Sequence, residues 1–293
     1  MGIPRPPPFY SGNWTPSALS AGVNFGSMPA TILSPSTNLS SVGSTVGKFL
    51  LQTLSEQVRQ VYESLQLISL GAGPSVASRI ASSSLFFLSF GHDDYAGIFA
   101  GGVFAAAGQP KYGRHGIARL LVSEMVRAIK DLYNAGVRRI AVAGVGPLGC
   151  SPRLRWEVAS HASQAQHCLE EANDVVADYN SRLADAIREV GPALSGVRIV
   201  FCDVYKGTMK IISNHKIYGF NNTRDACCGA GLFGGLIGCW AKSMACNDPS
   251  AHIWWDMYRT TEAVVARLAD WSWSPADEGD HICTPVSLKQ LLS

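Results

Sequence analysis

Charge is scarce in this sequence. Only 16% of its 293 residues are Asp, Glu, Lys or Arg, and the formal net charge is +2. So small a balance excludes the long-range attraction that gathers nucleic acid or an anionic membrane surface. No apolar run reaches the roughly 18 residues of a membrane span. The opening residues, Met1-Gly-Ile-Pro-Arg-Pro-Pro-Pro8, have neither the basic nor the apolar region of a signal peptide. The expectation is an intracellular chain if Met1 is the true start. There is no Cys-x-x-Cys pair and no Cys/His spacing of a zinc site. No Gly-rich loop carries a P-loop or dinucleotide fingerprint. Neither metal nor cofactor is expected.

Apolar residues are plentiful, at 47%, enough for a sizeable core. The length suits one large α/β domain or two small ones. With no internal repeat, a single domain over 1–293 is expected. Five of the eight Cys (Cys227, Cys228, Cys239, Cys246, Cys283) fall in the last quarter beside Gly-rich turns. That density suits disulfides formed in an oxidising compartment. Eight Cys allow 105 complete pairings, and the sequence does not choose among them. Sequons at Asn13, Asn38 and Asn221 are compatible with secretion and glycosylation. The middle of the chain thus reads as secretory while its beginning does not.

Residues 1–23 are Pro-, Ser- and Gly-rich and read as an irregular lead-in, followed by a short strand and turn over 22–33. Leu50, Leu51, Leu54, Val58, Val61 and Leu65 recur at helical spacing, which predicts a helix over 48–67. Five of the six residues from Leu85 to Phe90 are apolar, so this run reads as a strand buried on both faces. Gly91 ends it, and His92, Asp93 and Asp94 emerge at the strand's carboxyl end, where open α/β sheets collect ligands and catalytic groups. Helices are predicted over 115–134, with Gly136 as stop, over 168–190 and over 252–268; strands over 138–145 and 197–202. Residues 146–152 break as a turn, and 219–249 form a Cys- and Gly-rich excursion. Strands separated by helical stretches of this length indicate a parallel, doubly wound sheet.

These blocks together resemble the plant GDSL-type esterase/lipases of the SGNH hydrolase superfamily. Gly22-Val-Asn-Phe, Ser84 to Tyr95, Gly146-Pro-Leu-Gly-Cys-Ser-Pro, Tyr218-Gly-Phe with Cys227-Cys-Gly, and Asp248-Pro with Trp255-Asp match family motifs in family order. The resemblance runs from about Gly22 to Asp256. It implies a flavodoxin-like, three-layer α/β fold with a parallel sheet, and hydrolysis of acyl or lipid esters. It also implies an extracellular location.

The resemblance further implies a Ser nucleophile in Gly-Asp-Ser, a His base in Asp-x-x-His, and oxyanion donors from a Gly amide and an Asn. Gly-Asp-Ser is absent, and the expectation is that the first strand is absent with it. Ser27 and Ser89 are read as structural. The Asp-x-x-His position reads Asp256-Met-Tyr-Arg259, and a guanidinium cannot accept a proton at working pH. His252 is the nearby imidazole, a rescue base about one helical turn from Asp256. The family's Gly-Gly stands as Met28-Pro29, and Pro has no amide hydrogen to donate. Its Asn stands as Asp93, which when ionised only accepts.

Two readings follow. In the first, the chain is a catalytically inactive relative that keeps the scaffold and binds an unidentified protein partner. In the second it is an active ester hydrolase with a rewired site or an upstream block, acting on a small acyl ester or lipid. Neither reading involves nucleic acid or a transmembrane segment.

Overall fold

The structure, a computed structural model, describes residues 5–12, 14–27, 29–33, 52–99, 113–161, 167–275 and 277–293. Asn13, Met28, Asn38 and residues 48–51 of the expected first helix lie outside them. The short strands β1 (Ala30–Thr31) and β2 (Gln52–Thr53) pair in parallel. The principal sheet contains β3 (Leu85–Ser89), β4 (Arg139–Ala143) and β5 (Arg198–Cys202), in that order and parallel throughout. A third pair, β6 (Asn222–Ala226) with β7 (His252–Trp254), is also parallel. The two-residue β8 (Cys283–Thr284) closes the principal sheet antiparallel to β5.

Side chains alternate across a strand, and here the two sets enter different hydrophobic clusters. Leu88, Ile140, Val142, Ile199 and Phe201 join the cluster formed with α2 (Leu54–Ala72), α5 (Gly113–Asn134) and α7 (Glu170–Ala193). Ala141, Val200 and Cys202 join the other, with α8 (Val204–Ser213), α9 (Glu262–Trp273) and α10 (Leu288–Leu292). Each fully buried Val, Leu, Ile or Phe contributes about 1.5–3 kcal/mol, so the paired clusters are what hold the sheet.

Several boundaries move for identifiable reasons. The lead-in contains a short helix, α1 (Pro16–Ser20), capped by Thr15 Oγ1 accepting from the Ala18 amide. Helix α2 begins at Leu54, because Thr53 and Glu56 form a reciprocal capping box. Between α2 and β3 lies α3 (Pro74–Ser83); α4 (His92–Phe99) follows β3; and α6 (Pro152–His161) follows the 146–151 turn. The largest correction is at 252–268, expected as one helix. His252-Ile253-Trp254 instead pairs with β6, the chain turns over 255–258, and helix begins only at Glu262. Thr261 Oγ1 donates to the His252 carbonyl across this turn at 2.7 Å and fixes the reversal.

All eight Cys are paired: Cys150–Cys168, Cys202–Cys283, Cys227–Cys246 and Cys228–Cys239. Among the described residues no helix is long and apolar enough to cross a membrane.

Strand β3 is not buried on both faces. Phe87 is 57% exposed and Ser89 is exposed as well. Among the described residues nothing pairs with the edge of β3 opposite β4. A groove of about 1260 Å³ runs along that edge, lined by Phe25, Ser27, Val61, Phe87 and Ser89 among others. The apolar run predicts a covered strand, but among the described residues nothing pairs along this edge.

Candidate active site

Gly91 ends β3 at φ +99°, a conformation L side chains rarely adopt. A Cβ there would also meet Val145 Cγ2 at 3.0 Å and Tyr179 Cε1 at 3.2 Å. The turn delivers His92, Asp93 and Asp94 into the first turn of α4, where the helix dipole favours carboxylates. Asp93 Oδ2 accepts from the Ala30 amide at 2.8 Å. Asp94 accepts from the Ile32 amide at 2.9 Å and the Leu33 amide at 3.2 Å. Adjacent acids thus bind β1 and the residues after it to the end of β3. Burial pushes the Asp94 carboxyl up to about 6, against the lowering effect of those amides.

The second half of the site is the turn after β7. Asp256 Oδ1 accepts from the backbone amides of Tyr258 (2.9 Å) and Arg259 (2.8 Å), so the carboxylate folds the turn. The Met257 carbonyl accepts from the Arg153 amide at 3.0 Å and ties the turn to α6. The Arg259 guanidinium then reaches Asp93 Oδ1 at 2.6 Å, across 166 residues of sequence.

His92 lies beside this ion pair, its ring edge-on to Tyr258 at 6.3 Å. Its Nε2 is buried and has no hydrogen-bond partner among the described residues. Burial first and the Arg259 charge second lower its pKa to about 4, with Asp93 and Asp256 opposing. The imidazole is therefore neutral at pH 7, with its Nε2 making no hydrogen bond among the described residues.

The structure brings together Asp93, Asp256 and Arg259 of the residues predicted from sequence. Pro29 adjoins the site through Ala30; it is exposed, and its carbonyl accepts from the Gln52 amide at 3.4 Å. His252 does not stand one helical turn from Asp256, because it belongs to strand β7. Its Nδ1 donates to the Asp248 carbonyl at 3.0 Å and lies 3.6 Å from Cys246 Sγ. Asn221 is exposed. Sequence reasoning placed His92 in the polar cluster at the strand's carboxyl end but gave it no role of its own in the site. Its signal was its place directly after Gly91, at the carboxyl end of a parallel strand.

A parallel sheet with polar groups converging beyond its strand ends is the arrangement of an open α/β protein. The chain belongs to the GDSL-like lipase/acylhydrolase family, whose profile matches residues 6–271. It is similar to GDSL esterase/lipase At5g37690 of Arabidopsis thaliana, 28% identical over 92% of this chain and 71% of that protein. GDSL esterase/lipase At4g16230 of the same plant is 29% identical over 89% of this chain and 69% of its own length. A third, At5g55050, is 28% identical over all of this chain and 75% of its own.

Proposed function

We propose that this chain is a GDSL esterase/lipase-like scaffold whose site, as it stands, does not hydrolyse esters. The observation that carries the reading is the Arg259–Asp93 ion pair. Ester hydrolysis needs a proton acceptor beside the nucleophile and a donor facing the oxyanion. Here a permanent donor, Arg259, stands at the family's acceptor position, and an acceptor, Asp93, at its donor position. The two neutralise each other, and Asp256 is committed to backbone amides. Met28 and Pro29 stand at the family's Gly-Gly, and no Gly-Asp-Ser is present. Loss of one oxyanion donor alone costs about 3–4 kcal/mol of transition-state stabilisation.

The same reading takes 1–293 as one SGNH-like domain with helices layered on both faces of the sheet. The groove beside β3 is then the place of a further, first strand. Four disulfides and the exposed sequon at Asn221 support a secretory, glycosylated history. An inactive scaffold of this kind serves a protein partner.

A second reading is favoured by one observation, the neutral His92 imidazole whose Nε2 has no hydrogen-bond partner among the described residues. It is a working hydrolase of acyl or lipid esters in which His92, rather than His252, takes the proton of a nucleophile supplied from outside the described site.

The deciding experiment is hydrolysis of a short-chain p-nitrophenyl ester by the purified chain beside His92→Phe, His252→Ala and Asp256→Ala. No turnover above buffer from a cooperatively melting sample is expected. Turnover abolished by His92→Phe would establish the second reading.

A further inference from the structure

The Cys- and Gly-rich excursion after β6 carries an apolar surface that the site leaves unused. Cys228 and Cys239 close a loop of 11 residues' separation. Within it, Ala230 and Ile237 form an antiparallel bridge, which makes the loop a stapled finger. Leu232 (54% exposed), Leu236 (45%) and Ile237 (46%) project from the finger, and Trp240 (83%) follows the staple. Four large apolar side chains within nine residues is a concentration that a solvated surface loop does not need.

The finger is built to hold this shape. Gly235 packs against the start of α6 so closely that a Cβ would stand 2.3 Å from the Pro152 carbonyl oxygen. Gly238 lies against the Met257 side chain, in the turn between Asp256 and Arg259. Phe233 is held at φ +58°, in the left-handed region that large side chains avoid. One side of the finger is therefore anchored beside the candidate site, and the other presents its apolar side chains to solvent.

Charge selects the partner. From 229 to 247 there is no acidic residue, and the single charged side chain is the exposed Lys242. Trp and Leu/Ile tips beside a lone cation match the lipid headgroup region, where amphipathic aromatics settle and anionic heads attract Lys. The overall charge of +2 gives no long-range attraction, so apolar insertion must supply most of the binding.

We propose that the Cys228–Cys239 finger is a lipid-surface anchor, seating Leu232, Leu236, Ile237 and Trp240 in the interface with Lys242 against the headgroups. The inference does not depend on whether the neighbouring site hydrolyses esters.

The test is flotation of the full chain with vesicles of phosphatidylcholine, alone and with about one-fifth phosphatidylglycerol, while following Trp emission. Binding with a blue shift is expected. The double variant Leu236→Ser/Trp240→Ser should partition about tenfold less with an unchanged melting curve. Lys242→Glu should weaken binding about fivefold on the anionic vesicles and little on phosphatidylcholine alone. No flotation of the unmodified chain, or flotation unaltered in the double variant, would overturn the proposal. So would sedimentation showing that the double variant dissolves a dimer, which would assign the finger to a second copy of the chain.

Discussion

His92 and Asp94 flank Asp93 and titrate in opposite senses. The fold lowers His92 to about 4 and raises Asp94 to about 6. Between about pH 4 and 6.5 the unfolded chain binds the His92 proton more readily, so that group makes stability rise with pH. Between about pH 4 and 6 the folded chain holds the Asp94 proton more readily, so that group makes stability fall with pH. Each effect is on the order of 3 kcal/mol, and in the unmodified chain they offset. Melting temperature measured from pH 4 to 7 should then vary little. Asp94→Asn should unmask a rise across that range, and His92→Phe, which keeps a ring against Tyr258, should unmask a fall. Flat profiles in both variants would show that neither group carries the assigned burden. The ion pair beside them is partly exposed, Arg259 at 40% and Asp93 at 16% of their side chains. Its coupling energy in an Arg259→Ala/Asp93→Ala double-mutant cycle should accordingly be about 1 kcal/mol. A value near zero would mean the contact holds nothing together.

Helix α7 locks the carboxyl end of β4 through two amides spaced two turns apart. Asn180 Oδ1 accepts from the Val145 amide, and its Nδ2 donates to the Val145 carbonyl, both at 2.8 Å and both buried. Asn173 Oδ1 accepts from the Gly149 amide at 2.9 Å. Asn180→Ala would orphan two buried backbone groups and should cost about 2–4 kcal/mol by urea denaturation. Loss under 1 kcal/mol would mean that water replaces the side chain. Such contacts mark the limit of sequence legibility. Strands β3, β4 and β5 and helices α2, α5 and α7 were legible because burial imposes a period on local sequence. The carboxyl-end cluster at 92–94 was legible from its Gly stop. Helix 252–268 was misread because apolar residues on both sides of a turn happened to fall at helical spacing, while the Thr261 bond that makes the turn is tertiary. The Arg259–Asp93 pair had no local signal, since only the fold brings 93 and 259 together, and the burial of His92 is likewise a tertiary property.

At the scale of the molecule, the question is how the sheet ends. On one side it is closed covalently, for β8 pairs with β5 and Cys202–Cys283 ties them across 81 residues of sequence. On the other side no described residue pairs with β3, whose edge faces the groove with Phe87 more than half exposed beside it. Unpaired edges of parallel sheets with apolar side chains recruit strands from other molecules. The 293-residue chain should therefore self-associate at tens of micromolar, with those amides of 85–89 that point away from β4 protected from hydrogen exchange only in the associated form. Phe87→Lys puts a charge on this edge without touching the core or the β3–β4 ladder. It should leave the melting temperature within about 2 °C, since an exposed substitution away from special features changes stability by at most about 0.5 kcal/mol. Sedimentation velocity should show the variant as a monomer where the unmodified chain forms larger species. If the unmodified chain sediments as a soluble monomer that melts cooperatively, the groove is not an open strand site. The exposure of Phe87 would then need another cause.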